Sequence, residues 1–446
     1  MAGRQEYPIR RWSRRSVLRI GVPAAAAFLW ACGGGGEKKA AEQTAAAPGQ
    51  QAGAAPPTGR PIKLGYISSL SGTGAAYTTP ELEAIKIAIE EINTKGGVLG
   101  RPLQVIARDD KGRPDDARRE ARDLVEREGV FLLMGVISSA VALAVSEYAK
   151  EAEVPYINTI AQTAALTEEK GHKWVVRTAT THTGTAGRAL AKVFSEKLPT
   201  TLKKWYVIGP DYEYGHRVVE DFWALFKKLR PDVERIGEQW PPLGAGEYSA
   251  QINAILAAKP DAVYSSLWGN DLVAFIKQAK GFRYFDQVQH TGWAQADPDV
   301  TVPLGDDYPK GVWTGTNWGF WLVKNPETEA LVKTYRDRTG GGFPYAGTGL
   351  GYTAVYIIKT ALEKAGAVDK EKFMNALRDL KFKAIYGDLT VRGCDGQTYG
   401  PIFVGMAEKV PGQTFYGIVN ATVVTPESFP DLALSCQAIE ELRKKK

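Results

Sequence analysis

Histidine, cysteine and methionine are scarce in this chain, which has 4, 3 and 4 of them among its 446 residues. The four histidines are far apart, and the sequence contains neither a His-Glu-x-x-His nor a Cys-x-x-Cys motif. These spacings are the ones that many catalytic and structural zinc sites use. Nothing in the sequence therefore predicts a metal site, and we expect no cofactor.

The loop motifs of common enzymes are also missing. There is no Gly-x-x-x-x-Gly-Lys-Ser/Thr loop and no Gly-x-Ser-x-Gly turn. The stretch YISSLSGTGAAY places Gly72 and Gly74 between an apolar run and a helix, but Tyr77 stands where a dinucleotide-binding loop has its third glycine. A bulky side chain there hinders close packing of helix on strand. The pattern favours turn chemistry over phosphate binding.

An excess of one charge is absent from most of the chain. The net charge is +6, yet residues 1–31 contain six arginines and one acid. Removing these from the 56 basic and 50 acidic residues leaves 50 and 49, a net of +1. A nearly neutral body without a basic stripe does not favour nucleic acid as a partner.

The apolar run at residues 20–31 is too short to span a bilayer, which takes about 20 apolar residues. It follows the charged SRRSVLR, as in a secretory signal peptide. Arg14 and Arg15 resemble the twin-arginine export motif of bacteria, and LWAC resembles a lipoprotein cleavage box, which implies lipidation of Cys32. We predict a twin-arginine lipoprotein signal peptide at 1–31; a plain signal peptide and an ordinary membrane anchor are the alternatives.

Residues 32–60 are rich in Ala, Gly, Gln and Pro and contain no aromatic residue. Such a segment cannot bury enough surface to fold, so we predict a flexible linker. Beyond it, Cys394 and Cys436 are the remaining cysteines. Outside the cytoplasm they are a disulfide candidate, and two buried free thiols are the alternative.

Strand-like and helix-like segments alternate from Ile62 onward. The apolar run VFLLMGV is typical of a strand covered on both faces. A helix is predicted from Pro80, with Thr79 as its N-cap, to a stop at Gly96–Gly97. The alternation indicates parallel sheets with right-handed crossovers. It occurs twice, which predicts an α/β fold of two similar lobes with a crevice at the carboxyl ends of their strands.

Asp109 and Asp110 end a predicted strand and look like a carboxylate pair. Adjacent residues on a strand point to opposite faces, which separates the two carboxylates. We therefore expect capping or loop hydrogen bonds from them rather than acid–base chemistry.

The segment EINTKGGVLGRPLQVIARDDKGRPDDA (Glu91–Ala117) resembles the N-terminal signature of type I periplasmic solute-binding proteins, in particular the leucine/isoleucine/valine-binding family of ABC importers. In that family a helix ends in Ile-Asn and two glycines, and the next strand ends in two aspartates. Further similar segments follow in the family's order: SLSGTGAAY, GVISSA, VPYIN, DYEYG and YGDLTVRGCDGQ. The resemblance spans about Ile62 to Thr425.

The resemblance implies two Rossmann-like lobes with parallel sheets, joined by three hinge crossovers. Lobe one is predicted at residues 61–182 and 318–388, lobe two at 183–317 and 389–436, and a basic tail at 437–446. In the family the ligand binds between the lobes, which close over it.

Ser139 and three aromatic residues match ligand-contacting positions of the family. Ser138 and Ser139 open the helix after VFLLMGV, where hydroxyls and free backbone N–H groups can hold a carboxylate; simple N-capping is the alternative. Tyr77, Tyr214 and Trp268 match aromatic residues that line the family's cleft, where they would give apolar contact on both sides of a small solute. Core packing is the alternative for all three.

The sequence departs from the family pattern after VPYIN. Ile160 and Gln162 occupy the places of small residues and of a threonine that hydrogen-bonds the ligand, and we expect both side chains in the cleft.

A second departure concerns the family's acidic residue, which aligns with Ala294. Burying a ligand ammonium without a counter-charge is costly. Asp297 could supply the charge, Gln295 could bind a neutral group, and Trp293 favours a flat or apolar ligand. A carboxylate, an amide or an aromatic acid is therefore supported as well as an α-amino acid.

These features predict an extracytoplasmic, lipid-anchored monomer that delivers a small organic ligand to the membrane subunits of an ABC permease without making or breaking a bond. A ligand-sensing receptor component of the same fold is the second hypothesis. An extracytoplasmic α/β enzyme is the third, and it needs an acid–base pair that the sequence does not show.

Overall fold

The computed structural model describes residues 57–445. The predicted signal peptide, Cys32 and most of the predicted linker lie outside the described residues. Within residues 57–445, no helix combines the length and the apolar character needed to cross a membrane.

Strands and helices alternate through most of the described chain. The strands are β1 (Ile62–Ser68), β2 (Leu103–Asp109), β3 (Leu132–Gly135), β4 (Tyr156–Asn158), β5 (Val175–Arg177), β6 (Lys204–Ile208), β7 (Glu234–Gln239), β8 (Ala262–Ser265), β9 (Gln289–Trp293), β10 (Trp313–Thr316), β11 (Lys381–Ala384), β12 (Gly387–Val391), β13 (Thr398–Tyr399), β14 (Ile402–Lys409), β15 (Tyr416–Ile418) and β16 (Thr422–Val424). The helices are α1 (Ala75–Thr94), α2 (Pro114–Glu126), α3 (Ser139–Glu151), α4 (Thr183–Lys197), α5 (Glu213–Leu229), α6 (Ser249–Ala258), α7 (Gly269–Gly281), α8 (Pro298–Leu304), α9 (Pro326–Arg338), α10 (Ala346–Ala365), α11 (Lys370–Leu377) and α12 (Cys436–Lys444).

Two separate sheets confirm the predicted α/β fold with two lobes. The sheet of lobe one has the order β2-β1-β3-β4-β5 and is parallel throughout. The sheet of lobe two has the order β15-β14-β10-β9-β8-β6-β7, in which β6 to β10 are parallel and β14 is antiparallel to β10. All four residues of β3 are buried, as expected for a strand covered by helices on both faces.

The chain crosses between the lobes three times. It passes from β5 to the second sheet, returns after β10 to α9–α11, and crosses again before β14. The returning helices join the core of lobe one, where Leu331, Val355 and Phe373 belong to the same buried cluster as Leu64 and Ile85.

The third crossover lies later than the predicted boundary at 388/389. Leu389 and Val391 of β12 are buried in the core of lobe one, and β12 pairs with β13, which ends at Tyr399. The crossover therefore falls at residues 400–401, immediately before β14. The predicted boundary cut through a strand because the short β11–β12–β13 hairpins carry too weak a pattern to be recognised in the sequence.

The first helix also begins earlier than predicted. α1 starts at Ala75, so that Pro80 lies inside the helix and Thr79 is not its N-cap. The Thr78 hydroxyl donates a 2.7 Å hydrogen bond to the Ser69 carbonyl and so ties the first turns to the preceding loop. Tyr77 is consequently held on a helix rather than on a loop.

The predicted basic tail is instead largely the helix α12, which docks on lobe one. The Arg443 guanidinium donates to the backbone carbonyls of Thr167, Glu168 and Cys394 at 2.8–3.2 Å. Cys394 and Cys436 are paired, with their Cα atoms 6.0 Å apart. The pair fastens the start of α12 to the segment before β13.

We expect the replacement Cys436→Ser to lower the free energy of unfolding by about 2–4 kcal/mol, because the bridge closes a long loop in the unfolded chain. Thermal unfolding with and without reductant measures this effect. Reductant should lower the melting temperature of the wild-type protein to that of the variant and leave the variant unchanged. Equal stability of both proteins under oxidising conditions would contradict the pairing.

Candidate functional site

A cleft lies between the lobes at the carboxyl ends of both sheets, as the crossover rule for parallel sheets predicts. It encloses about 590 Å³ of atom-free space, part of which is open to solvent. From lobe one it is lined by Tyr77, Ile137, Ile160 and Gln162, and from lobe two by Tyr212, Tyr214, Trp268, Gly269, Trp293, Ala294, Asp297, Asp299 and Thr316; Asn317 lines it from the crossover after β10.

Six of the nine residues predicted to bind a ligand line this cleft. They are Tyr77, Ile160, Gln162, Tyr214, Trp268 and Trp293. Trp293 is the last residue of β9, and the others lie within a few residues of the end of a parallel strand or in the first turn of the next helix. The structure places these six side chains at the crevice, and their contact with a ligand stays a prediction.

Ser138 and Ser139 lie near the cleft but outside its lining. Ser138 is the N-cap of α3 without a capping hydrogen bond from its side chain. The Ser139 hydroxyl accepts a 3.2 Å hydrogen bond from the backbone N–H of Thr163 and is buried. This contact ties α3 to the chain after β4, a structural role that the sequence pattern could not distinguish from ligand binding.

Gln295, expected in the cleft, points into the core of lobe two. Its amide donates to the carbonyls of Leu267 and Trp293 at 3.0 and 2.8 Å and lies 3.1 Å from His290 Nε2. The cause is Ala294, whose φ of 55° is left-handed and breaks the alternation of the strand immediately before Gln295. The comparison with the family pattern, from which Gln295 was suggested as a partner for a neutral group, does not reveal this left-handed turn.

The structure adds cleft residues that the sequence analysis did not assign to it: Tyr212, Asp299, Thr316 and Asn317. Asp297, which the sequence suggested as a counter-charge, also lines the cleft. The segment Asp-Pro-Asp at 297–299 begins α8, with Asp297 as N-cap and Pro298 at the first helical position. A proline flanked by acids directly after a buried strand was the available signal.

Aromatic rings form the walls of the cleft, and glycines fix two of them. Trp293 packs so closely on Gly315 that a Cβ at that glycine would lie 2.6 Å from the indole ring. A Cβ at Gly347 of α10 would lie 2.6 Å from the ring of Tyr77. The rings of Tyr212 and Tyr214 are 6.1 Å apart between centroids. The apolar surfaces are thus largely positioned before a ligand arrives.

Two buried carboxyl groups are the acidic groups of the cleft. Asp297 and Asp299 are only 3% and 8% exposed. Burial, reinforced by Asp299, raises the pKa of Asp297 well above its ordinary value, against a hydrogen bond from Thr316 that lowers it. Burial raises the pKa of Asp299 to about 7. Among the described residues that line the cleft there is no arginine, lysine or histidine.

Residues 61–411 match the family model described as periplasmic binding protein. This match covers more than half of the chain. The chain belongs to the periplasmic binding protein family. The resemblance found in the sequence is thereby confirmed.

Named relatives of this periplasmic binding protein point to the same family. It is 27% identical over 344 residues to Leu/Ile/Val-binding protein homolog 7 of Brucella suis biovar 1 (strain 1330), a match covering 75% of this chain and 84% of the relative. It is 26% identical over 341 residues to the Leu/Ile/Val-binding protein BraC3 of Rhizobium johnstonii, covering 72% and 84%.

Solved structures share the fold of this binding protein. A solute-binding protein of an ABC transporter from Rhodopseudomonas palustris BisB5, in complex with 3,4-dihydroxybenzoic acid, matches with a TM-score of 0.73 at 23% identity, covering 82% of this chain and 97% of that one. The leucine-binding protein LivK of Thermotoga maritima matches with a TM-score of 0.71 at 23% identity, covering 82% and 100%. At these identities the likeness shows the fold alone.

The two lobes of the binding protein touch beside the cleft. Arg217 of α5 in lobe two reaches Glu168 and Glu169 of lobe one at 3.2 and 3.1 Å. Nearby, the Thr163 hydroxyl donates a 2.7 Å hydrogen bond to Glu213. Contacts of this kind exist only when the lobes are together, so the structure represents a closed arrangement.

Asp109 and Asp110 have the loop role predicted for them. Asp109 accepts hydrogen bonds from the backbone N–H groups of Leu70 and Lys111, and Asp110 accepts from the Ser69 hydroxyl and the Gly112 N–H. These bonds fix the loop between β1 and α1 and so support the position of Tyr77.

The raised pKa of Asp299 in this closed arrangement predicts how the stability of the protein depends on pH. Between 3.8 and about 7 the folded protein keeps a proton on Asp299 that the unfolded chain has lost. The contribution of Asp299 to the free energy of unfolding should therefore fall as the pH rises through this interval, by about 1.4 kcal/mol per unit at most, and stay constant above it. Asp299→Asn should remove this component, measured as unfolding free energies at pH 5 and pH 8.

The exposed Asp306 offers the matched control for this measurement. Asp306→Asn changes the same charge on the same lobe at a side chain that is 86% exposed. It should reproduce the wild-type pH dependence. The prediction is wrong if Asp299→Asn behaves like Asp306→Asn.

Proposed function

We propose that this protein is the extracytoplasmic solute-binding component of an ABC importer, which captures a small organic solute between its lobes and delivers it to the permease. The observation that carries the proposal is the cleft, enclosed by both lobes, walled by aromatic rings and bridged at its side by Arg217. A pocket with apolar walls and a few polar groups is the usual form of a small-molecule site.

The same proposal assigns ligand contacts to Tyr77, Ile160, Gln162, Tyr214, Trp268 and Trp293. The three crossovers would serve as the hinge, so that ligand binding shifts the population toward the closed state. The names of the relatives mention leucine, isoleucine and valine, and a solved structure holds an aromatic acid. Amino acids, amides and aromatic acids are therefore the first classes of ligand to screen. The proposal also takes the protein to act as a monomer.

A thermal-shift screen tests this function. Amino acids, amides, aromatic acids and organic amines are each added to the purified protein. A ligand that binds the native state at 100 times its Kd stabilises it by about 2.7 kcal/mol, which raises the melting temperature. The proposal fails if no compound of any class raises it.

Membrane attachment through Cys32 is part of the proposal, supported by the cysteine that ends the N-terminal apolar run. We expect Cys32→Ser to abolish lipidation and to move the protein from the membrane fraction to the soluble fraction, because a diacylated terminus is what anchors it. Cys436→Ser is the matched control and should stay with the membrane. An unchanged distribution of Cys32→Ser would contradict the anchor.

A further inference from the structure

The cleft contains two acidic side chains and, among the described lining residues, no cation to balance them. Asp297 and Asp299 are more than nine-tenths buried. Isolated buried carboxylates are costly, and a protein compensates by protonating them or by pairing them with a positive charge. The ionisable groups that face this pair are tyrosines: Tyr77 of α1, Tyr214 of α5 and Tyr308. They supply no positive charge.

One carboxylate oxygen of the pair lacks a hydrogen-bond donor in the described part of the chain. Asp299 Oδ1 is buried and accepts no hydrogen bond from the described residues. An unpaired buried acceptor costs about 1–3 kcal/mol, more when it is charged. Since this atom belongs to a residue that lines the cleft, a donor group on the ligand would supply the missing hydrogen bond.

The aromatic walls favour a cation for a separate reason. Tyrosine and tryptophan rings attract cations over their faces, and tryptophan does so most strongly. Tyr77, Tyr212, Tyr214, Trp268 and Trp293 all line the same space as the two carboxylates. Aromatic rings around a charged end are the arrangement by which proteins hold organic ammonium groups.

The cleft offers a ligand carboxylate uncharged donors, such as Gln162, Asn317 and the Trp268 indole N–H, but no positive charge among its described lining residues. Ser138 and Ser139 are outside the lining, and the Ser139 hydroxyl already accepts from Thr163. Ile160, in the lining, is apolar. A negative ligand would also be repelled by any ionised form of Asp297 or Asp299.

We infer, on the basis of the proposed function, that the cleft selects a small organic cation: a protonated amine on an aromatic or apolar body, with its ammonium against Asp297 and Asp299. The ligand needs no carboxylate. This class differs from the aromatic acid bound in the solved structure of similar fold.

Calorimetry with ligands matched in shape tests the inference. On a phenyl body the set is 2-phenylethylamine, 2-phenylethanol, phenylacetate and phenylalanine; on an aliphatic body it is 3-methylbutylamine, 3-methylbutanol, 3-methylbutanoate and leucine. For the phenyl set, the aliphatic set or both, the amine should bind at least about 30-fold more tightly than its alcohol and its acid. This ratio corresponds to the lower end of the affinity lost when one partner of a buried charge pair is removed. The amino acid should bind no more than about 10-fold more tightly than the amine, since a larger gain means an essential carboxylate.

Three results would overturn the inference. They are, on both bodies, an amine that binds less than about 30-fold more tightly than its alcohol or its acid; an amino acid that exceeds its amine by more than about tenfold; and failure of both amines to bind. If the inference fails while any acid, alcohol or amino acid binds, the proposed solute-binding function stands. If no compound in either set or in the thermal-shift screen binds, both fail.

Discussion

Asp297→Asn is expected to weaken the binding of 2-phenylethylamine by at least about 30-fold, or roughly 2 kcal/mol, because truncating one partner of a buried charge pair costs about 2–5 kcal/mol. Asparagine has nearly the shape of aspartate, so the aromatic walls should stay in place. The loss should therefore be confined to the charge. Calorimetry of the wild-type protein and the variant at pH 8 measures it, because a neighbouring ammonium lowers the pKa of a carboxyl group and so favours its ionised form in the complex.

Two controls separate charge recognition from general damage. Asp306→Asn removes an acid from the same lobe at a highly exposed position and should leave the amine affinity unchanged. Binding of 2-phenylethanol, which carries no charge, should differ little between Asp297→Asn and the wild-type protein. An unaltered amine affinity in Asp297→Asn would exclude this carboxylate from recognition.

Trp268→Ala should produce the second large loss, which we place at about 2–3 kcal/mol or roughly 30–150-fold in affinity. The estimate adds the burial of apolar ligand surface on the indole to the attraction of a cation over its face. Trp268 is the N-cap of α7 but caps it with no side-chain hydrogen bond, so the helix loses no cap when the indole is removed.

Two further substitutions test whether the loss of affinity is specific to the Trp268 ring: one replaces Trp268 by phenylalanine, and the other removes a second tryptophan. Trp268→Phe keeps an aromatic face and should retain most of the affinity. Trp223 lies on α5, packed partly buried against the core of lobe two and outside the cleft lining. Trp223→Ala should leave ligand binding intact while lowering stability, and equal losses of affinity in Trp223→Ala and Trp268→Ala would contradict the assignment.

The fold could be predicted because its signals are repeated many times along the chain. Short buried strands such as β3 alternate with amphipathic helices, and each repeat supports the same parallel topology. The errors arose where one local signal stood alone. Pro80 suggested a helix start, yet α1 begins at Ala75 because Thr78 and Ser69 stabilise the earlier turns. The strands of the β11–β13 hairpins are too short to show a pattern.

The candidate site could be predicted where backbone topology alone positions a side chain. Tyr77, Tyr214 and Trp268 follow parallel strands, and such positions open on the crevice whatever the rest of the sequence does. The positions of the Gln295 and Asp299 side chains depend instead on Ala294, a residue of left-handed conformation that turns the chain after β9. Alanine gives no warning of a positive φ, so the burial of Gln295 and the place of Asp299 in the cleft became visible only in three dimensions, whereas the sequence had already suggested Asp297 as a counter-charge.

The most direct test of a solute-binding cleft is a crystal structure of the protein with the tightest ligand from the calorimetric sets. The ligand should lie between Tyr77, Tyr214 and Trp268, with its ammonium within hydrogen-bond distance of Asp297 or Asp299. The lobes should be closed, with Arg217 against Glu168. A ligand bound outside this cleft, or one whose carboxylate faces the two aspartates, would contradict it.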